Sequence, residues 1–117
     1  MARRSDRVYL GDILDSIALI HSYIQGVTYS QLDEDQLIQD AVVHRLEVIG
    51  EISRQLSDEF RLKHPDVPWH RLIGMRNRII HEYFGIDLDR VWDAVTVDVN
   101  ELEKSVIRWL AEAPDDV

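Results

Sequence analysis

From Val8 to Leu110 the apolar residues recur at three- and four-residue intervals, and no stretch sustains a period of two. That spacing puts apolar side chains on one face of a helix and on both faces of a strand, so it restricts the chain to packed helices. Val95 to Val99 alternates briefly, but inside a longer helical pattern. Punctuation is sparse, with five Gly and three Pro over 117 residues, each where a helix can start or stop. The first helix is expected from about Asp6 to Gln25, with Gly26 as its left-handed terminator. Val27 to Glu34 reads as a loop, and Asp33 with Gln36 has capping-box spacing. A long second helix is expected from Glu34 to Lys63, with Arg45 in the middle of its apolar stripe and Pro65 beyond its end. A third runs from Trp69 to Phe84, with Pro68 in its first turn and Gly85 after it. Asp87 can cap a fourth, from Leu88 to about Glu112. Trp69, Trp92 and Trp109 read as core residues. The expected fold class is all-α, an antiparallel bundle of four to five helices forming one domain over residues 1–117.

Composition removes several functions. No cysteine is present, which excludes disulfides, thiolate metal sites and cysteine nucleophiles. The basic start, Met-Ala-Arg-Arg-Ser-Asp-Arg, is followed by apolar residues interrupted at Gly11, Asp12 and Asp15, unlike a signal peptide. No apolar run reaches the ~18 residues of a membrane span, so the expected location is the cytoplasm, with no membrane partner. The net charge of −9 argues against coating nucleic acid by bulk electrostatics. It leaves room for a local basic site. Between Arg61 and Arg90 six Lys/Arg face four Asp/Glu, so that window carries +2 and the remainder −11. His64, His70 and His81 also fall there, and the window contains the third helix.

On a wheel with Leu72 at zero, Ile79, Tyr83, Ile80 and Met75 lie within about 80°, and Arg76 sits among them at about 40°. Burying an unpaired guanidinium costs several kcal/mol, so Arg76 must be paired or that face must be an interface or a cleft. A carboxylate such as Glu47 or Glu51 on the preceding helix is one candidate partner. Asn77 and His81 share another side, and Arg78 is three residues from His81. Arg76 and His81 are about 140° apart on a straight helix. Either the helix is distorted, or long side chains converge, or two copies of the chain complete one site; the last is the expectation, because an apolar face bearing an arginine suits a two-fold interface. Glu47 with Glu51 lacks the Glu-x-x-His companion of a carboxylate metal site, and no metal is expected there or at His64 and His70.

The stretch Arg76-Asn77-Arg78-Ile79-Ile80-His81-Glu82-Tyr83 resembles the Arg-x4-His-x-Tyr motif of the HepT-like ribonuclease toxins, members of the HEPN superfamily of α-helical domains. Three further segments carry the resemblance: Arg45-Leu46-Glu47-Val48-Ile49-Gly50-Glu51, Pro65-Asp66-Val67-Pro68-Trp69, and His81-Glu82-Tyr83-Phe84-Gly85-Ile86-Asp87 followed by Val91-Trp92. It covers about residues 6–110. One departure is Val99-Asn100-Glu101-Leu102, where the family often has a Leu-Pro pair; a continuous last helix is expected instead.

The resemblance implies a cytoplasmic homodimer that cleaves RNA internally without metal or cofactor. RNA supplies its own nucleophile, the 2′-OH. An imidazole exchanges protons near neutral pH, the role implied for His81. A planar guanidinium suits phosphate oxygens, the role implied for Arg76. Asn77 would orient His81 or bind phosphate, Arg78 would hold a flanking phosphate, and Tyr83 would hydrogen-bond the substrate or stack on a base. The resemblance also implies a toxin–antitoxin module whose partner, a minimal nucleotidyltransferase antitoxin, silences the toxin by transferring AMP to Tyr83. The alternative of a different class is a catalytically inert HEPN-type helical module that docks a nucleotidyltransferase or a nucleotide, and a third is a plain helical interaction domain.

Overall fold

A computed structural model describes residues 5–81 and 85–112. It is all-α. The elements are α1 (Asp6–Ile24), α2 (Tyr29–Glu34), α3 (Gln36–Gln55), α4 (Asp58–Lys63), α5 (Trp69–His81), α6 (Leu88–Asp93) and α7 (Val99–Glu112), with a π-helical turn over Ala94–Asp98 joining α6 to α7. No strand occurs among the described residues. α1, α3 and α7 form the central layers, and α5 lies along the other side of α3.

Polar contacts at the helix ends set the antiparallel arrangement. At the start of α1, the Asp6 carboxylate accepts from the Ser57 backbone N–H (3.0 Å) and hydroxyl (2.8 Å), just past the end of α3. Near the end of α1, His21 Nε2 lies 2.8 Å from Asn100 Oδ1 in the first turn of α7. Between these ends one apolar core forms. Ile13, Ile17, Ile20, Leu32, Val42, Ile49, Val91, Val95, Val99 and Val106 are its fully enclosed apolar members.

Three features differ from the sequence expectation. The long second helix breaks at Leu56–Ser57 into α3 and α4, because Ser57 turns extended and its hydroxyl caps α4 by accepting from Phe60 N. The expected loop before it contains α2, started by a reciprocal capping box between Thr28 and Gln31 and anchored by buried Leu32. Asp35, rather than Asp33, then caps α3. Gly26 does adopt φ +71°, the left-handed geometry expected of a terminator.

The last helix is continuous from Leu88 to Glu112 but contains the π turn. There Thr96 donates to the Trp92 carbonyl at 2.6 Å and Asn100 Nδ2 donates to the Thr96 carbonyl at 2.8 Å. These side chains bond backbone oxygens within the widened ladder. With Asn100 Nδ2 so committed, Oδ1 faces His21 and makes Nε2 the donor.

Two of the three tryptophans are core residues and the third is half-buried. Trp69 and Trp109 close an aromatic cluster with Phe60 and His64. Trp69 Nε1 donates to the His64 carbonyl at 2.9 Å, and the His64 ring lies 4.1 Å from Trp109 and 4.4 Å from Phe60. Burial in that stack pushes the imidazole below its ordinary pKa, which suits a neutral packing ring. Trp92 instead meets Tyr29 of α2 edge-to-face at 6.0 Å. The Tyr29 hydroxyl donates to the Asp89 carboxylate, which, with neighbouring negative charge, pushes the phenol up to about 12. No helix among the described residues is long and apolar enough to cross a membrane.

Candidate active site

The site begins with a glycine. α3 and α5 cross at Gly50, where an added Cβ would lie 2.3 Å from Arg76 Cβ and 2.8 Å from the Leu72 carbonyl oxygen. Only a residue without a side chain lets the two backbones come this close. The crossing places Arg76 over the second turn of α3 from its C-terminal end. Trp69, Leu72 and Ile79 hold α5 in place from its buried side.

Arg76 is three-quarters buried, and its guanidinium is paired. Nε lies 3.0 Å from Glu51 Oε2, an ion pair whose N–H is not aligned as a hydrogen bond. Nη1 donates to Asn77 Oδ1 at 2.9 Å. Among the described residues Nη2 has no hydrogen-bond partner. Of the two carboxylates open to Arg76 from sequence, the structure therefore selects Glu51. Its other oxygen accepts from Arg54 Nη2 (2.8 Å) and Gln55 Nε2 (3.0 Å). Those hydrogen bonds, with the positive charge of Arg54 and Arg76, hold the Glu51 carboxyl below its usual range.

Asn77 and His81 are exposed, one turn apart on the outer side of α5. His81 makes no hydrogen bond or ion pair with any described residue, and no described residue joins it to Arg76. The structure thus brings together Arg76, Asn77 and Glu51 and leaves His81 apart from them. Arg78, also exposed, lines an open groove with Met75, Gly74, Arg90 and Asp93 on the α6 side. Tyr83 lies outside the described residues. No cluster of three or more His, Asp or Glu among the described residues has the geometry to hold a metal ion.

Two site residues were not separable by sequence reasoning. Glu51 and Glu47 are one turn apart, and a helical wheel cannot choose between them. Gly50 carried a weak signal: a glycine inside a long helix costs about 1 kcal/mol relative to alanine, so a packing reason was to be sought.

A helical bundle with Arg76, Asn77 and His81 on one motif helix, in the spacing Arg-Asn-x3-His, defines a HEPN-like domain. The chain belongs to the HepT-like ribonuclease family: the family model described as Ribonuclease HepT-like matches residues 13–108. Relatives span most of the chain. A Methanocaldococcus jannaschii protein named "Putative RNase MJ1380" is 39% identical over 106 residues, covering 91% of this chain and 97% of the relative. "Putative RNase TTE0752" of Caldanaerobacter subterraneus is 37% identical over 103 residues, covering 88% and 92%. "Probable ribonuclease HepT" of Thermococcus cleftensis is 36% identical over 101 residues, covering 86% and 92%. No solved structure was found to match. Family and relatives together support a ribonuclease of the HepT type, with RNA as substrate.

Proposed function

We propose that the chain is the toxin of a toxin–antitoxin module, a metal-independent RNA endonuclease whose site is completed by a homodimer. The observation that carries this reading is the half-used guanidinium of Arg76. Glu51 faces its Nε and Asn77 accepts from Nη1, while Nη2 has no partner among the described residues, on the same helix as an exposed imidazole. A guanidinium needed only for packing has no reason to keep terminal donors free.

The chemistry follows from the groups present. The RNA 2′-OH attacks the adjacent phosphorus as its proton passes to a base. The bond to the leaving 5′-oxygen breaks as that oxygen takes a proton, and a 2′,3′-cyclic phosphate remains. His81 serves as the proton acceptor or donor. Arg76 neutralises the charge that grows on the phosphorane oxygens, where a prepositioned donor is worth more than in water. Asn77 orients the guanidinium or a phosphate oxygen, and Arg78 holds a neighbouring phosphate. Since Arg76 and His81 leave the helix about 140° apart, one copy supplies the arginine and its partner the histidine to a shared cleft.

Subunit mixing tests this arrangement. Arg76→Ala and His81→Ala chains, each strongly impaired alone, are expected to regain cleavage in a purified mixed dimer, which carries one intact arginine and one intact histidine. A mixed dimer as dead as its parents, or a strictly monomeric active protein, overturns the composite site.

Silencing is assigned to a minimal nucleotidyltransferase antitoxin that attaches AMP to Tyr83. The phenol oxygen attacks the α-phosphorus of ATP and pyrophosphate leaves. The product places a phosphodiester charge and a nucleoside two residues from His81, where an RNA phosphate would otherwise sit. Coexpression with that partner should raise the intact mass of the chain by one adenylyl group, lost in Tyr83→Phe. An unmodified chain beside an active partner removes the silencing mechanism and leaves the nuclease standing. The Glu51 ion pair is also what an inert helical docking module would show. That reading gains if wild-type protein binds the nucleotidyltransferase yet leaves RNA intact.

A further inference from the structure

We infer that Glu51 is a positioning residue for RNA cleavage: its carboxylate holds Arg76 by Nε so that the terminal nitrogens meet the scissile phosphate end-on. The inference rests on the ribonuclease reading of Arg76 and adds the device that aims it.

An unrestrained arginine has wide rotamer freedom, lost again at each encounter with substrate. Arg76 has lost most of that freedom in the folded chain. Its Cβ is wedged at the Gly50 crossing, and its Nε is 3.0 Å from Glu51 Oε2. The clamp is itself held by further contacts. Glu51 Oε1 accepts from Arg54 and Gln55, one turn further along α3, so the carboxylate cannot swing away with the arginine.

A carboxylate beside a phosphate site would ordinarily repel the substrate. Here Arg54 and Arg76 both bear on the one Glu51 charge, so the three groups keep a net charge of +1. Arg54 thus offsets the clamp, and Arg76 keeps its attraction for phosphate. The same contacts hold the Glu51 carboxyl below its usual range, so the clamp stays charged at mildly acidic pH. Burial of Nε beside the Glu51 carboxylate also selects the direction of approach. The side-on fork, Nε with Nη2, is blocked, and phosphate oxygens must come to Nη1 and Nη2.

A double-mutant cycle on the full-length protein decides the matter. Cleavage of a defined RNA is followed for wild type, Glu51→Gln, Glu51→Ala, Arg76→Ala and Glu51→Ala/Arg76→Ala, with thermal unfolding of each. Loss of aim should lower kcat by roughly 10- to 100-fold in Glu51→Ala, since small misplacements near the chemistry cost that much. KM should stay within about 2-fold, because the phosphate charge is still met. Glu51→Gln, of equal volume, should fall between and fold as wild type. The double variant should be no slower than Arg76→Ala alone, because Glu51 acts only through Arg76. If Glu51→Ala melts too low to assay, the same comparison with Glu51→Gln and Glu51→Gln/Arg76→Ala decides. Wild-type kcat in folded Glu51 variants, or losses that multiply in the double variant, overturn the positioning role while Arg76 remains essential. Full cleavage by Arg76→Ala instead overturns the ribonuclease reading of Arg76, a separate outcome.

Discussion

His81→Ala should cleave RNA at least 100-fold more slowly than wild type, in the presence of EDTA, with an unchanged unfolding transition. The expected size comes from general acid–base catalysis, which contributes about 10²- to 10⁴-fold when one positioned group moves the proton. The unchanged stability comes from the structure. His81 is exposed at the last described position of α5, and no described residue bonds to it. Substitutions at such positions usually alter stability by less than about 0.5 kcal/mol. The two readouts therefore separate chemistry from folding more cleanly here than at Arg76, whose removal also strips Glu51 of a partner. EDTA matters because the proposed site uses no metal: the wild-type rate should be the same with and without it. Equal rates for wild type and His81→Ala would trace the cleavage to a contaminant and end the nuclease assignment for this helix. In cells the same pair should differ in growth arrest, with RNA integrity scored in parallel.

The helices were legible in the sequence where burial alone decides them, and illegible where a distant partner does. α1 and the Leu88–Glu112 rod follow from one apolar stripe each, ended by Gly26 and begun by Asp87. The break at Leu56–Ser57 depends on the Asp6 carboxylate, 51 residues away, which takes both the Ser57 N–H and its hydroxyl. No local pattern announces that contact. α2 was within reach, since Thr28-x-x-Gln31 is a capping box, but six residues with a single buried anchor at Leu32 leave no periodicity to detect. The π turn is likewise silent, because its side-chain bonds from Thr96 and Asn100 look like ordinary helical polar residues until the backbone is seen.

The site divides along the same line. That Arg76 needs a partner was readable, because an arginine on an apolar face is an anomaly, and the structure supplies Glu51. The geometry of the site was not. A wheel gives angles about one axis, whereas the choice of Glu51 over Glu47 depends on where α5 crosses α3. That crossing is set by Gly50, whose only mark in the sequence is that it is a glycine in a helix.

Gly50→Ala should accordingly be damaging, lowering stability by about 2 kcal/mol and RNA cleavage with it. Alanine is the better helix former by about 1 kcal/mol, so propensity alone predicts a gain. The contacts reverse the sign. The new methyl would lie 2.3 Å from Arg76 Cβ and 2.8 Å from the Leu72 carbonyl, and both are anchored to the α5 backbone, so neither can rotate aside. α5 must retreat as a unit, at a cost near the upper end of the roughly 1–3 kcal/mol typical of overpacking, of which the propensity gain offsets about 1 kcal/mol. The retreat also pulls Arg76 from Glu51, so kcat should fall in the molecules that remain folded. Gly11→Ala supplies the control: it sits inside α1 with nothing within 4 Å of the added Cβ, and it should stabilise by up to about 1 kcal/mol. Urea unfolding of the three proteins reads both signs. A Gly50→Ala protein as stable as Gly11→Ala would mean that α3 and α5 do not cross this closely, and the clamp on Arg76 would lose its foundation.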